Sequence, residues 1–352
     1  VILKPLLAAT CHGKKAPKAE RRRIPSNPCV PGGARFVALA THWHDWSSRK
    51  DPLALAAGSD TARQREAIMT GSAAKLVLGT AAIGLDYGRE HADGTQPRRP
   101  DERELRALLA ATRQVGIACY DTAPVYGDAE ERLGGLLKRG EQVWSKLDPS
   151  IHPAASLERS CARLGRRIDS LQWHNWSEGL LEDQGFLDSW AEMTHMHDAK
   201  SFGASTYGND AALAAVRSGC FSLVQVEWNL LDQHVVALIG PEARRRGVRV
   251  AVRSVFLQGL LAGRQAPDAG LVDVVDRVGS LAHDWHRPLP VLALQAALEH
   301  PQIDHVILGF DRAEQVDVVH EAMQQPALTT EQWQALWQLH LGPPATDPRN
   351  WP

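Results

Sequence analysis

Four residues of this chain have the types and the order for proton chemistry. Asp121 and Tyr126 stand five residues apart in DTAPVYGDAEERLG, directly after the apolar run IACY. Lys146 closes a later apolar run, QVWSK, and His174 closes another, SLQWH. Such runs read as buried strands, which puts Asp121 at the carboxyl end of one and Tyr126 on the loop beyond it. A phenol has an ordinary pKa of about 10 and donates poorly near neutrality unless a cation stabilises its phenolate. Lys146 supplies that cation. Asp121 offsets the cost of holding an ammonium in a half-buried cleft, and His174 can hydrogen-bond the oxygen that receives the proton. Taken singly, each residue reads as well as part of an ordinary buried salt bridge or as a packed histidine; the four together carry the inference.

Positioning four such groups requires strands whose ends converge. From Lys75 onward short apolar runs alternate with longer amphipathic stretches, the pattern of βα units and a parallel sheet. The strand candidates are KLVLG, GIACY, QVWSK, SLQWH, KSFGA, SLVQV, VRVAV and DHVIL. Eight is the number that closes an α/β barrel, and such a barrel uses roughly 250 residues as one domain. Reactive groups in it gather where the βα loops open, at the carboxyl ends of strands about 4.8 Å apart. DERELRALLAATRQV reads as a helix with Leu105, Leu108 and Leu109 on one face; SLERSCARLGRR, LPVLALQAALEHP and TTEQWQALWQLH repeat the pattern. The expected fold is therefore α/β, a (β/α)8 TIM barrel over residues 71–352, with a poorly patterned N-terminal extension over residues 1–70 and with short βα loops.

The extension differs in composition. Before Phe36 it carries Lys4, Lys14, Lys15, Lys18, Arg21, Arg22, Arg23 and Arg35 against the single acid Glu20, without helical or strand period. That favours a loose arm or an over-extended gene model, since the chain begins with Val and a Met stands at position 69, just before the patterned region. FVALA and DTARQREAIM read as an isolated strand and a short helix within it.

Bulk properties narrow the classes. A formal charge of -2 over 352 residues offers no general polyanion surface, so nucleic acid is not an expected partner. Cys11, Cys29, Cys119, Cys161 and Cys220 are odd in number and scattered, which fits a reducing cytoplasm better than a disulfide framework. No apolar run approaches the roughly 18 residues that cross a bilayer. A monomer without membrane contact is the expectation.

Asp121, Tyr126, Lys146 and His174, each at a strand end, resemble the catalytic tetrad of the aldo-keto reductases. The resemblance extends through LVLGTAAIG, GAST, VQVEWNLLDQ, RSVFLQGLL and VILGFDRAEQV, and so covers residues 75 to about 340. It implies NADPH-dependent reduction of an aldehyde or ketone, a small-molecule carbonyl, with Tyr126 as general acid, Lys146 and Asp121 as its tuners and His174 as positioner. RSVFLQGLL is most similar to members found with surface-polysaccharide and sugar-nucleotide genes, which implies a sugar-derived substrate. For the cofactor, the resemblance places Ser205, Gln225 and Asn229 at the nicotinamide end and Arg253, Ser254 and Gly259 at the pyrophosphate. Gly309, Arg312 and Gln315 would then take the adenosine phosphate. The chain has no Rossmann GxGxxG fingerprint, which this family does not need. It departs from the family in three places: Val318 and Val319 replace a usual Glu and Asn, Asp311 would repel a 2'-phosphate, and the spacing from Tyr126 to Lys146 is short, as if a helix were trimmed. NADH thus remains open beside NADPH.

Two other constellations stand out in the sequence. His42, His44 and Asp45 in HWHDW, and His195 and His197 in MTHMHD, could offer paired imidazoles to a metal if they lay on strands, but no third ligand is evident and no metal is expected. Trp176 and Trp228 stand just beyond strand ends and could line an apolar substrate wall, while Trp144 and Trp173 read as core. The competing functions are a non-catalytic nicotinamide-nucleotide-binding barrel, since a fold alone does not fix activity, and a metal-dependent barrel hydrolase.

Overall fold

The computed structural model describes residues 73–90, 94–196, 199–267, 269–342, 346, 347, 349 and 351. FVALA, DTARQREAIM, HWHDW and His197 lie outside the described residues.

Eight strands form a closed parallel barrel in sequence order: β1 Leu76–Gly79, β2 Cys119–Asp121, β3 Gln142–Leu147, β4 Ser170–Trp176, β5 Ser201–Thr206, β6 Leu223–Glu227, β7 Arg249–Arg253 and β8 His305–Gly309. All eight expected strands are present. β8 closes on β1 through Leu76↔Val306 to Gly79↔Gly309, so the sheet has no free edge. The helices between them bury one face on the strands. Glu102–Gln114 begins with Asp101 and Glu104 in a capping box and turns Leu105, Leu108, Leu109 and Thr112 inward. Pro153–Leu164 begins with its proline at the first turn and ends at Gly165, whose φ of 63° gives the left-handed cap. Leu289–Glu299 is apolar all round and almost entirely buried.

The period of two along each strand sets the site. A small cluster of Val77, Trp144, Leu223, Ala251 and Ile307, with Cys119 against it, forms a core of its own apart from the main one. Two residues further along the same strands stand Gly79, Lys146, Gln225, Arg253, Gly309 and Asp121. Each therefore shares the barrel-facing side of its strand with a core residue one layer below, as the layered filling of such barrels requires.

One expectation is corrected. The βα loops are not uniformly short: 22 residues, from Thr80 to Asp101, separate β1 from Glu102–Gln114, and β7 is followed by a long irregular segment. His195 lies in the helix Gln184–Met196, so the alternative in which an HxH pair on a strand offers both imidazoles to one metal lacks its strand there. The described residues hold no group of three or more His, Cys, Asp or Glu able to hold a metal ion, and no described helix is long and apolar enough to cross a membrane.

Candidate active site

Asp121 and Lys146 meet inside the barrel top. Lys146 Nζ donates to Asp121 Oδ2 at 2.7 Å and to the Thr122 carbonyl at 2.9 Å, and both side chains are nearly inaccessible, at 0% and 4% exposure. The other carboxylate oxygen, Oδ1, accepts from Gln225 Nε2 at 3.0 Å and from Gln172 Nε2 at 3.3 Å. Burial alone would pull the Lys146 ammonium down, but Asp121 and then Tyr126 outweigh it and hold it above the ordinary lysine value. Lys146 is thus a cation at neutral pH with one face left for Tyr126, whose ring centroid lies 5.0 Å from Nζ.

Tyr126 is placed by the turn after β2. Its N–H donates to the Ala123 carbonyl at 3.0 Å and its carbonyl accepts from Ala129 at 3.1 Å, which leads into the helix Ala129–Gly134. The turn Ala81–Gly84 after β1 packs directly upon it: a Cβ at Gly84 would stand 1.9 Å from the Tyr126 carbonyl oxygen, so the two loops close up only with glycine there. The helix that follows has six residues, and β3 begins at Gln142.

The phenol's state differs from the simplest expectation. Burial raises the Tyr126 pKa above its ordinary value; Lys146, and less strongly Arg253, oppose this, while Asp121 adds to it. The cation restrains the shift without reversing it. Tyr126 therefore keeps its proton at neutral pH, the form a proton donor needs.

His174 faces Tyr126 edge-on, with ring centroids 6.1 Å apart. Burial first, then Lys146 and Arg253, lower its pKa to about 4, so it is neutral near pH 7 and can hydrogen-bond there but not act as an acid. Its Nδ1 is buried and has no hydrogen-bond partner among the described residues. The four residues of the sequence reading thus converge at one mouth.

The residues expected to hold a cofactor fall into two groups. Ser254, Gly309 and Arg312 lie at a strand end or on the loops after strands. Gly309 is exposed and pairs with Gly79; a Cβ at Gly309 would meet nothing nearer than the Gly79 carbonyl at 4.0 Å, whereas one at Gly79 would stand 3.0 Å from Ile307 Cγ2, so the open space lies at Gly309. Arg312 is exposed. Others are engaged by the chain itself, among them Gln225, whose amide nitrogen donates to Asp121 and Gln172 and whose Oε1 accepts from Ser205 Oγ at 3.5 Å. Asn229 Oδ1 accepts from Leu231 and Asp232, closing the turn after β6. Gln315 Oε1 accepts from the Asp311 and Arg312 N–H groups. Arg253 donates to the Thr206 carbonyl at 2.7 Å, lies 3.4 Å from Glu227 and stacks at 4.1 Å on the Tyr207 ring. At Gly259 the glycine is needed because Arg264 passes over it: a Cβ would stand 2.2 Å from Arg264 Cδ.

Trp176 and Trp228 do not form a substrate wall. They are 2% and 0% exposed, and their rings pack edge-on against Phe221 and His300, so their side chains belong to the core around the barrel. The exposed apolar groups near the strand ends are instead Leu85, Tyr87, Val125 and Tyr207, on the loops after β1, β2 and β5. Tyr87 lies within electrostatic reach of Tyr126, Tyr207 and Arg253. Tyr207 is covered on its other approach by Arg349 from the carboxyl-terminal segment, 3.8 Å from the ring centroid. Sequence reading missed these; the available signal was an aromatic residue one to eight positions beyond a strand end, a weak one in a chain with many aromatics.

The geometry defines a parallel α/β barrel with a buried ion pair beneath a neutral phenol and a neutral imidazole, the apparatus of acid-base chemistry at a substrate oxygen. Residues 75–340 match the Aldo/keto reductase family model, and the chain belongs to that family. It is 28% identical over 311 residues to D-threo-aldose 1-dehydrogenase from a Pseudomonas species, covering 72% of this chain and 94% of the relative. It is 29% identical over 308 residues to pyridoxal 4-dehydrogenase of Microbacterium luteolum, covering 68% and 86%. A solved structure from Pseudomonas aeruginosa described as an aldo-keto reductase superposes with a TM-score of 0.54 at 24% identity, covering 71% of this chain and 90% of that one, and supports the fold alone. The family and the two dehydrogenases make the chain an oxidoreductase.

Proposed function

We propose that the protein reduces a small aldehyde or ketone to the alcohol with NADPH, Tyr126 acting as general acid. The single observation that carries this is the convergence of the Asp121–Lys146 ion pair, protonated Tyr126 and neutral His174 at one barrel mouth. The residues fit a nicotinamide nucleotide: the barrel mouth is open at Gly309, and among the described residues Thr206 Oγ1 and His174 Nδ1 are buried polar atoms without hydrogen-bond partners. When bound, that nucleotide supplies a hydride to the carbonyl carbon. Tyr126 Oη gives its proton to the carbonyl oxygen as the C=O π bond breaks, and the phenolate left behind is stabilised by Lys146. His174 orients the oxygen by hydrogen bonding, and the same groups serve alcohol oxidation in reverse. The relatives are named for an aldose and for pyridoxal, both small polar aldehydes, which supports a sugar-type substrate. NADPH oxidation across aldoses, keto-sugars and aromatic aldehydes tests the reading; nucleotide binding with no turnover on any of them would point to a non-catalytic barrel.

For the cofactor's phosphate we propose Arg312. The Asp311 carboxylate that could repel a 2'-phosphate is paired with Arg264 at 2.9 Å, while Arg312 beside it is exposed. Arg312→Ala is expected to weaken NADPH about tenfold and NADH little, measured by titration calorimetry, in line with the loss of one charge-assisted contact of about 1.5 kcal/mol. Equal weakening of both nucleotides would remove Arg312 from phosphate recognition.

We further propose that residues 71–352 carry the activity, since the family match falls wholly within them. A chain beginning at Met69 is expected to fold and to bind nucleotide as the full chain does. Insoluble protein from that start would assign the preceding segment a part in the fold.

A further inference from the structure

We propose that Gln172 is a positioning residue of this site: reaching over Gly203 to Gln225, its side-chain amide fixes the Asp121 carboxylate on Lys146 and decides which end of Gln225 faces the mouth. The inference deepens the reading of Tyr126 as proton donor and rests on it for its consequence, though not for its geometry.

Gln172 stands on β4 one layer below His174, and Gln225 stands on β6. β5 runs between them, and its residue in register with Gln172 is Gly203. A Cβ at Gly203 would stand 3.2 Å from Gln172 Cγ and 2.7 Å from the Leu223 carbonyl, so any larger residue would fill the path that the Gln172 side chain takes. Across this gap Gln225 Nε2 donates to Gln172 Oε1 at 3.1 Å. All members are buried: Gln172 is 0%, Gln225 1% and Asp121 2% exposed.

The donor count then fixes the orientation. Gln225 Nε2 has two hydrogens, and they go to Asp121 Oδ1 at 3.0 Å and Gln172 Oε1 at 3.1 Å. Turning the amide over would set its oxygen against a carboxylate and a carbonyl oxygen at once, a repulsion that excludes the alternative. Gln225 therefore keeps Oε1 for other partners, of which Ser205 Oγ, at 3.5 Å, is the neighbour in the chain. Gln172 adds its own donor to Asp121 Oδ1 at 3.3 Å. With two amide donors on Oδ1 and the Lys146 ammonium on Oδ2, the carboxylate cannot rotate away from the lysine.

The consequence reaches Tyr126. The charged and titratable groups facing it are Asp121 from β2, Lys146 from β3, His174 from β4, Arg253 from β7 and Tyr87 from the loop after β1. Asp121 disfavours the phenolate, and the amide dipoles aimed at its oxygen blunt that effect. Without the Gln172 amide the potential at Tyr126 becomes more negative and the phenol holds its proton to higher pH.

The test is a pH titration of phenolate absorbance on the full chain without nucleotide. Tyr126 is isolated by subtracting the matching Tyr126→Phe background from the signal of the four tyrosines. Gln172→Met, which keeps shape and removes the amide, is expected to raise the pH of Tyr126 ionisation by roughly half a unit or more, and to move the alkaline limb of carbonyl reduction in the same direction. A merely structural role would lower the melting temperature or the active fraction and leave the titration where it was. Should Gln172→Met not fold, Gln172→Asn, too short to span Gly203, carries the same expectation. An unmoved Tyr126 titration in a folded variant overturns the proposal. A moved titration in a protein that neither binds nucleotide nor reduces carbonyls supports the positioning role and removes the proposed function, so the two failures are distinct.

Discussion

Tyr126→Phe is expected to abolish nearly all carbonyl reduction while leaving the barrel intact. The substitution removes one oxygen atom from a ring whose place is set by backbone hydrogen bonds of the turn and by the close Gly84 contact, none of which involves the hydroxyl. The carbonyl oxygen then has no protonated donor: His174, its pKa lowered to about 4, carries no excess proton near neutrality, and Lys146 is tied to Asp121 and the Thr122 carbonyl. Loss of a general acid costs about 10²- to 10⁴-fold in turnover. Steady-state kinetics beside nucleotide titration checks this: kcat should fall across that range with nucleotide affinity within a few fold of the parent protein. A Phe variant that reduces aldehydes at the parent rate would remove Tyr126 from the chemistry. The parent's own profile has a sign fixed by burial. Because Tyr126 is raised above the ordinary phenol value, reduction, which needs the proton, should persist past neutrality and fall only at strongly alkaline pH.

Much of this site was legible in the sequence because the barrel converts linear spacing into position. Asp121, Lys146 and His174 each terminate an apolar run, and a parallel barrel brings every such terminus to one face, so three of the groups follow from where the runs end. The strand count and the absence of a sheet edge follow from the same rhythm. Less legible was anything decided by which way a side chain leaves its strand. Trp176 and Trp228 stand near strand ends in sequence, yet both side chains pack in the core around the barrel. Asn229 and Gln315 carry polar side chains at suitable sites, but each satisfies backbone N–H groups of its own loop, a local competition that composition does not reveal. Gln172 was missed for the opposite reason. A glutamine inside an apolar strand reads as an irregularity until Gly203 on the neighbouring strand is seen to leave it room. The net state of the phenol was also out of reach, since a cation's pull and burial's push differ in sign and only their distances and depths decide between them.

Asp121→Asn is expected to be the most destabilising single change at the mouth and to alter the proton chemistry as well. Lys146 is fully enclosed, and the carboxylate is the largest of the influences that keep it charged against burial. With an amide in its place the ammonium keeps only the neutral Thr122 carbonyl and the Tyr126 hydroxyl among its named partners, and breaking a buried pair in this way costs about 3–5 kcal/mol. The linkage has a definite sign. In the parent, the Lys146 pKa is raised above its unfolded value of 10.5, so its contribution to stability is complete below that value and fades as pH climbs through the folded one. In the variant, Tyr126 is left to oppose burial without the carboxylate, the folded value falls from the parent's, and the deficit should be greatest at low and neutral pH and shrink as the solution becomes alkaline. The phenol responds in turn. Lys146 lowers the Tyr126 value more than Asp121 raises it, so once the lysine gives up its proton both influences vanish and Tyr126 ionises at a higher pH than in the parent. Thermal melts over a pH series, together with the alkaline limb of the reduction rate, test both halves. An unchanged melting temperature and an unchanged limb would make Asp121 a spectator and the ion pair an accident of packing.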